Sequence, residues 1–301
     1  MSRTITVASI QMASGSWDID HNIATAERLI RQAAAQGAQL AVCPELFMMP
    51  YFCSEQHYEH IEMAQPFEKN VYLQHFANLA KELNVVIPIG FYERAQNASF
   101  NSVAVADANG EMLGVYRKTH IPDGPGYSEK FYFTPGDSGF RVWDTRYGRI
   151  GIGICWDQWY PETARSMALM GAELLCFPTI IGNEPQNPEM DTAGHWQRTM
   201  QGHAAANMVP VIAANRIGSE TAKYQRNADA TTLTFYGSSF ISDETGAKLK
   251  EANRRDETVL TATFDLDELN EKRRAFGFFR DRRPEMYKTL FTSDGQSSCY
   301  L

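Results

Sequence analysis

The sequence predicts an α/β protein built in layers around a mixed β-sheet. Runs with strand character alternate with amphipathic helical patterns through most of the 301 residues, an order typical of helices packed on a sheet. Hairpin-like strand pairs interrupt this alternation, so we expect antiparallel neighbours beside parallel ones. Because no change of composition resembles a linker, we expect a single domain over residues 1–301.

The individual elements are predicted from hydrophobic periodicity and from helix and turn signals. Strands are expected over residues 4–12, 39–45, 85–92, 101–107, 111–117, 140–143, 149–155, 172–178, 209–215, 236–242, 247–252 and 258–265. Helices are expected over residues 20–36, with Asp20 as a possible N-cap, and over residues 67–83, 161–170, 195–207 and 267–274. A Gly-Ala-strand-Pro pattern occurs at 37–44 and again at 171–178, which is a weak sign of internal pseudo-symmetry.

The composition is that of an ordinary globular protein, with 44% hydrophobic and 21% charged residues. A net charge of −8 argues against a nucleic acid or an anionic membrane surface as partner. No apolar run approaches the roughly 20 residues that a membrane span needs, and we expect no secretory signal. The scattered and odd-numbered cysteines favour a reduced, cytoplasmic chain: Cys43, Cys53, Cys155, Cys176 and Cys299.

The stretch at 149–162, Arg-Ile-Gly-Ile-Gly-Ile-Cys-Trp-Asp-Gln-Trp-Tyr-Pro-Glu, is the centre of the predicted chemistry. It is a buried strand that ends at Cys155, and Pro161 suits the first turn of the helix that follows. A side chain on such a turn can be exposed, rigid and close to free backbone N–H groups, as a nucleophile requires. The alternative is that Cys155 is a small buried hydrophobic residue.

Two further strand ends carry reactive groups, Glu45 after Pro44 and Lys118 after the strand at 111–117. A thiol needs a base, and a nearby carboxylate can serve. A lysine can keep the pair ionised and donate to an oxyanion, while Glu129 can anchor that lysine. Taken singly, each residue has an ordinary alternative as a turn cap or a surface charge.

Together these motifs resemble the nitrilase superfamily of carbon-nitrogen hydrolases. The resemblance is carried by Pro-Glu-Leu at 44–46, Tyr-Arg-Lys-Thr-His at 116–120, Gly-Ile-Cys-Trp-Asp at 153–157 and Ala-Ala-Asn-Arg-Ile-Gly at 213–218. It implies a four-layer α-β-β-α sandwich and a catalytic Glu-Lys-Cys triad at Glu45, Lys118 and Cys155. Glu129 is implied as a fourth member, and no metal or organic cofactor is needed.

Within the superfamily, the loops are most similar to those of N-carbamoylputrescine amidases. This likeness rests on the stretches 120–127, 129–137, 154–162, 178–186 and 195–204. It implies hydrolysis of a small cationic ureido substrate to putrescine, ammonia and carbon dioxide through a thioester. Glu45 would act as base, and Lys118 with the Trp156 N–H would hold the oxyanion.

A distal ammonium on the substrate calls for a carboxylate. Glu184 is the first candidate, and Asp157 and Glu189 are the next. Pocket walls are expected from four aromatic residues, for which core packing is the alternative: Tyr51, Tyr127, Trp156 and Trp159.

Several alternatives stay open. An N-carbamoyl amino acid hydrolase would use an arginine for the substrate carboxylate, and Arg198 and Arg216 are available. An ω-amidase, an aliphatic amidase or a nitrilase would keep the same triad. A metal site at His57 and His60 is less favoured than a polar surface. The resemblance also implies a homo-oligomer built from dimers, to which a tail over about residues 276–301 can contribute.

Overall fold

Two β-sheet layers lie face to face between two layers of helices in this computed structural model, which describes residues 2–224 and 231–296. The helices are α1 (Ile19–Ala35), α2 (Val71–Leu83), α3 (Pro161–Leu169), α4 (Ala193–Asn207) and α5 (Leu266–Phe276). The strands are β1 (Thr4–Gln11), β2 (Leu40–Val42), β3 (Ile87–Ala95), β4 (Ala98–Ala106), β5 (Met112–Arg117), β6 (Val142–Asp144), β7 (Arg149–Ile152), β8 (Leu174–Pro178), β9 (Val211–Ala214), β10 (Ser219–Thr221), β11 (Thr232–Thr234), β12 (Phe240–Ser242), β13 (Lys248–Glu251) and β14 (Thr258–Asp265).

The predicted mixture of parallel and antiparallel strands is confirmed. The first layer consists of the sheets β14-β1-β2 and β3-β4-β5, which are joined by a bridge between Leu40 and Val86. The second layer has the order β13-β12-β9-β8-β7-β6. The pairs β1/β2, β7/β8 and β8/β9 are parallel, whereas the hairpins are antiparallel.

Three apolar cores hold the four layers together. The first lies between α1 and α2 and the first sheet layer, and it contains Leu29, Ile30, Phe47 and Phe76. The second fills the space between the sheets with Val7, Leu40, Ile150, Ile152 and Ile212. The third packs α3 and α4 on the second layer through Phe177, Trp196, Met200 and Val211. The expected α-β-β-α sandwich is therefore confirmed.

Some predicted boundaries are wrong because the capping side chains differ from those expected. Helix α1 is capped by Asp18, not Asp20, since the Asp18 carboxylate accepts from the backbone N–H groups of residues 20 and 21. Helix α2 begins at Val71, after the cap Asn70, and not at residue 67. The β10–β11 hairpin is absent from the sequence prediction because its three-residue strands are too short to show a period.

One close backbone approach fixes the segment that carries Lys118. The N–H of Gly136 donates to the carbonyl oxygen of Lys118 at 2.8 Å. A Cβ at Gly136 would lie 2.1 Å from the carbonyl oxygen of Arg117, so only glycine fits this contact. In the described residues, none of the helices combines the length and the apolar character needed to cross a membrane.

Candidate active site

The structure brings Glu45, Lys118, Glu129 and Cys155 together at one end of the sandwich. Glu45 follows β2 and Lys118 follows β5, so both come from the first sheet layer, whereas Cys155 follows β7 of the second. Glu129 begins a short 3-10 helix, Glu129–Phe131. All four side chains are buried. The cluster therefore forms only when the two sheets pack face to face.

The Lys118 ammonium lies between two carboxylates. Its Nζ donates to Glu45 Oε1 at 2.9 Å and to Glu129 Oε2 at 2.6 Å. Asn101 Nδ2 also donates to Glu45 Oε1, at 2.5 Å, and Glu45 Oε2 is buried without a hydrogen-bond partner among the described residues. One ammonium proton and one carboxylate oxygen thus remain free for a substrate.

Mutual charges decide the ionisation of this cluster. Burial opposes the charged form of Lys118, but the charges of Glu129 and Glu45 together raise its pKa well above the usual value. Burial raises the pKa of Glu129 to about 7, with Glu45 acting in the same direction and Lys118 against it. Lys118 is therefore charged at neutral pH, while Glu129 gains and loses its proton there.

Cys155 begins a 3-10 helix, Cys155–Trp159, and has a backbone φ of 42°. A non-glycine residue in this left-handed region is strained and is held there by its surroundings. Its Sγ lies 3.4 Å from the carbonyl oxygen of Ile180. Burial, followed by the charge of Glu45, raises the pKa of the Cys155 thiol well above its usual value. The resting side chain is therefore a thiol that needs a base.

Asp157 lies behind the turn that carries Cys155. Its carboxylate accepts from the Ile154 N–H at 2.9 Å, the Tyr116 hydroxyl at 2.7 Å and the His120 N–H at 3.0 Å. His120 Nδ1 lies 2.7 Å from the same carboxylate. Because these groups enclose it and it is absent from the cavity lining, Asp157 is placed to hold the turn and not to meet a substrate.

A cavity of about 480 Å³ opens beside Cys155. Of the residues predicted for the substrate, Tyr127, Trp156, Trp159 and Glu184 line it, together with Glu129 and Cys155. The lining also includes residues that sequence reasoning missed, such as Asp123, Gln186 and His195. These lie in loops or on a helix face without a local signal that points to a shared cavity.

The remaining predicted residues lie outside the cavity lining. Tyr51 is buried against Tyr127, and its hydroxyl donates to Glu129 Oε1 at 2.9 Å. Glu189 is exposed in the loop after β8.

Within the cavity lining, Glu184 Oε2 accepts from Gln186 Nε2 at 3.3 Å. Burial, followed by the charges of Glu184 and Cys155, raises the pKa of Tyr127, so this hydroxyl stays neutral close to both groups.

Neither arginine considered for a substrate carboxylate reaches the cavity. Arg216 is fully buried, and its Nη2 donates to the carbonyl oxygens of Glu45, Leu46 and Met49 at 3.0–3.2 Å. Arg198 is exposed on α4. The cavity lining within residues 2–224 and 231–296 contains no arginine or lysine and three carboxylates, those of Asp123, Glu129 and Glu184.

His57 and His60 have structural partners. His60 Nε2 lies 3.1 Å from Glu55 Oε1, and its ring stacks on Trp17. The His57 ring stacks on Tyr224 at 3.8 Å. In the part of the chain that the structure describes, no group of three or more histidine, cysteine or acidic side chains is arranged to hold a metal ion.

Asn101 is the polar group nearest the cluster that sequence reasoning did not identify. It lies on β4, and its carbonyl oxygen accepts from the Lys118 N–H at 2.8 Å. The signal was available, because Asn101 carries the only amide side chain of the strand Ala98–Ala106, whose second half is largely buried and apolar. An amide in that setting needs a buried partner.

Comparison with known proteins supports the same fold and identifies the family. The carbon-nitrogen hydrolase family model matches residues 6–274. The N-carbamoylputrescine amidase of Oryza sativa subsp. japonica is 53% identical over 294 residues, which cover 98% of this chain and 97% of the relative. The citrullinase of Francisella tularensis is 50% identical over 286 residues, which cover 95% of this chain and 98% of the relative.

A solved structure gives the same result. The crystal structure of a carbon-nitrogen hydrolase from Helicobacter pylori has a TM-score of 0.88 at 37% identity, and the match covers 96% of this chain and 99% of that chain. The sequence, the layered sheets and the solved structure therefore agree on the fold and the family. This chain belongs to the carbon-nitrogen hydrolase family, the nitrilase superfamily.

Proposed function

We propose that this chain hydrolyses the ureido C–N bond of N-carbamoylputrescine to putrescine, ammonia and carbon dioxide. The observation that carries the proposal is the cavity shared by Cys155 and Glu184, whose described lining has carboxylates but no arginine or lysine. Such a cavity suits a chain that ends in an ammonium group. The relatives named N-carbamoylputrescine amidase support the same substrate.

The first half of the reaction uses the cluster as the structure holds it. Glu45 Oε2 takes the proton from Cys155 Sγ as the sulfur attacks the carbamoyl carbon. The free proton of the Lys118 ammonium and the Trp156 N–H donate to the oxyanion. The carbamoyl C–N bond then breaks, and Glu45 returns its proton to the leaving nitrogen. An S-acyl Cys155 and one free amine or ammonia result.

The second half regenerates the thiol. Glu45 takes a proton from water as the water oxygen attacks the S-acyl carbon, and the carbon–sulfur bond breaks with return of the proton to Cys155. The carbamic acid that is released decomposes to carbon dioxide and the second nitrogen product. One water is consumed, and one molecule each of putrescine, ammonia and carbon dioxide is formed. No step requires a metal or an organic cofactor.

Glu184 is proposed to bind the distal ammonium. It lines the same cavity as Cys155, and both lie near Tyr127. Tyr127, Trp156 and Trp159 would enclose the four-carbon chain between the two ends. Of the other acids considered, Asp157 is enclosed by protein donors and Glu189 is exposed outside the lining.

The citrullinase relative makes a ureido amino acid the second candidate substrate. Such a substrate adds a carboxylate beside its ammonium, and a carboxylate needs a cationic or strong hydrogen-bond partner. The Nη1 and Nη2 groups of Arg216 donate within the protein, and both Arg216 and Arg198 lie outside the lining. The lining residues that the structure describes therefore favour the substrate without a carboxylate.

A substrate panel tests the proposal directly. We expect purified protein to release ammonia from N-carbamoylputrescine much faster than from citrulline, N-carbamoyl-β-alanine or glutamine. The Cys155→Ala variant is the blank and is expected to lose turnover entirely, because the nucleophile is gone. A clear preference for citrulline or N-carbamoyl-β-alanine would overturn the substrate while leaving the nucleophile in place.

Substitution of Glu184 tests the ammonium site. We expect Glu184→Gln to lower kcat/KM for N-carbamoylputrescine by about 10- to 100-fold, since a charge-assisted hydrogen bond is worth about 1.5–3 kcal/mol. Butylurea, which lacks the ammonium, should be hydrolysed equally by both proteins. Glu189→Gln, an exposed acid of the same loop, is the matched control. Equal losses on both substrates would contradict the assignment.

The ionisation of Glu129 predicts a pH dependence. Ionised Glu129 holds the Lys118 ammonium in place, so kcat/KM should rise with pH through about 7, where Glu129 loses its proton. We expect Glu129→Gln to lose this rise and to be about 10- to 100-fold slower at pH 8. Measurement of kcat/KM from pH 5.5 to 9 for both proteins tests this expectation. A Glu129→Gln variant that keeps the rise near pH 7 would refute the assignment.

We infer that residues 1–301 act as one domain whose tail, from about residue 276, takes part in packing and in a homo-oligomer built from dimers. A surface cavity of about 780 Å³ lies between α3, α4 and the tail. Exposed apolar side chains surround it or lie on the tail: Leu169, Phe276, Phe278, Leu290 and Phe291. Such a patch is typical of an association surface.

Sedimentation velocity tests this surface. We expect a dimer or a larger assembly, and a shift toward monomer in Leu169→Glu, because the new charge would be buried at the interface. Val71→Glu changes an exposed apolar residue on α2, in the opposite helix layer, and should leave the assembly intact. A monomeric unmodified protein would contradict the proposal.

We also propose a cytoplasmic location. Cys43, Cys53, Cys155 and Cys176 are free and buried, which suits a reducing compartment. Cys299 lies outside the described residues. Cell fractionation with detection of the chain tests this location.

A further inference from the structure

The segment from Glu45 to Tyr51 carries two groups of the active-site cluster. Glu45 contacts Lys118, and the Tyr51 hydroxyl contacts Glu129. Between them, Leu46 has a backbone φ of 44°, in the left-handed region that a leucine rarely adopts. A strained backbone of this kind persists only where neighbouring groups fix it. The position of both catalytic carboxylates therefore depends on what holds this segment.

An ion pair from the end of the second sheet layer holds the segment at several points. Arg216, which follows β9, donates to three of its carbonyl oxygens. Arg216 Nη1 also donates to Glu220 Oε1 at 2.8 Å. The other oxygen of Glu220 accepts from the Tyr51 N–H at 2.6 Å. The side chain of Glu220 is only 9% exposed, so this contact is largely protected from water.

A continuous path therefore connects Glu220 to the cluster. The Glu220 carboxylate fixes the Tyr51 backbone, the Tyr51 hydroxyl donates to Glu129 Oε1 at 2.9 Å, and Glu129 Oε2 accepts from Lys118. Tyr51 is 2% exposed, and its ring packs at 90° against Phe235 and tilted against Tyr127. With the ring confined, a shift of its backbone moves the hydroxyl relative to Glu129.

We propose that Glu220 is a positioning residue for the reaction: acting through Tyr51, it sets the pH at which Glu129 ionises. The inference rests on the proposed roles of Glu129 and Lys118. A hydroxyl that donates to a carboxylate stabilises the ionised form. Loss of the Tyr51 hydroxyl contact therefore raises the pH at which Glu129 loses its proton. Glu220 touches no substrate and is not itself catalytic.

The other groups around Glu129 act on its charge as well. Lys118 favours the ionised form, whereas Glu45 opposes it. The thiols and hydroxyls that interact with this carboxyl are those of Cys53, Cys155 and Tyr51. Neither Glu45 nor Lys118 contacts Glu220, so a change at Glu220 is expected to reach Glu129 through Tyr51 and the segment that Arg216 holds.

The experiment measures how the alkylation rate of Cys155 depends on pH in the Glu220→Gln and Tyr51→Phe variants, alone and combined. The substrate-free readout is the rate of Cys155 alkylation by iodoacetamide, which carries an inflection where Glu129 ionises because that charge lies beside the thiol. We expect each single variant to move the inflection upward by about one pH unit, since one unit corresponds to 1.36 kcal/mol, the scale of one such hydrogen bond. The combined variant should show no further shift, because both changes interrupt the same path.

Controls separate positioning from general destabilisation. Glu257→Gln breaks an exposed ion pair with Arg28 and should leave the inflection unchanged. Glu220→Asp keeps the charge, so its inflection should lie between that of the unmodified protein and that of Glu220→Gln. An unchanged inflection in folded Glu220→Gln, with only a lower melting temperature, would overturn the proposal, as would additive shifts in the combined variant. If Glu220→Gln does not fold, Glu220→Asp takes its place with a smaller expected upward shift, and an inflection identical to that of the unmodified protein would overturn the proposal.

This test is independent of the substrate. If N-carbamoylputrescine is not hydrolysed, the proposed function fails, but alkylation of Cys155 still reports on Glu129. If alkylation shows no inflection in the unmodified protein while turnover is normal, the positioning role fails and the function stands. The two outcomes are therefore distinguishable.

Discussion

The contact of one buried ammonium with two buried carboxylates is the interaction on which the rest of the site depends. Lys118, Glu45 and Glu129 are withdrawn from water, and any of them alone would carry a large desolvation cost. Together they hold one another, and burial raises the pKa of Glu129 to about 7 although Lys118 opposes this shift. Because the cluster tolerates little displacement, the strand ends and loops that deliver its members must be rigid.

The sandwich supplies that rigidity by joining equivalent points of its two sheet layers. Strand β8 ends at Pro178, and Pro44 lies two residues after β2. Each strand comes shortly after a Gly-Ala pair, and the chain that follows each strand contributes to the site. The Glu45 N–H donates to the carbonyl oxygen of Thr179 at 3.4 Å, and the next carbonyl, of Ile180, faces Cys155 Sγ. Glu45, the proposed base, and Cys155, the proposed nucleophile, are thus held near each other by backbone contacts between the layers.

Much of this arrangement could be predicted because strands and turns carry local signals. The layered α/β class, the strand ends near Glu45, Lys118 and Cys155, and the β14 boundaries follow from periodicity and from proline and glycine positions. The four-layer sandwich is implied by the family resemblance. The orientation of Asp157 could not be predicted, because whether an acid after a nucleophile faces inward depends on the Tyr116 and His120 partners that tertiary packing brings. The role of Arg216 could not be predicted either, because its sequence neighbours do not reveal the carbonyl groups, 167–171 positions away, to which it donates.

The proposed function assigns chemistry and substrate selection to different charged groups in this molecule. The carboxylates of Glu45 and Glu129 each already accept from the Lys118 ammonium, so they attract a second cation less than an unpaired carboxylate does. Glu184 lines the cavity and meets only the neutral amide of Gln186 among its described hydrogen-bond partners. On the proposed assignment, a cationic substrate would be drawn to the Glu184 side of the cavity, which would leave its uncharged ureido end for Cys155. The same charge would then also orient the substrate, because the reverse orientation would place an ammonium against Lys118.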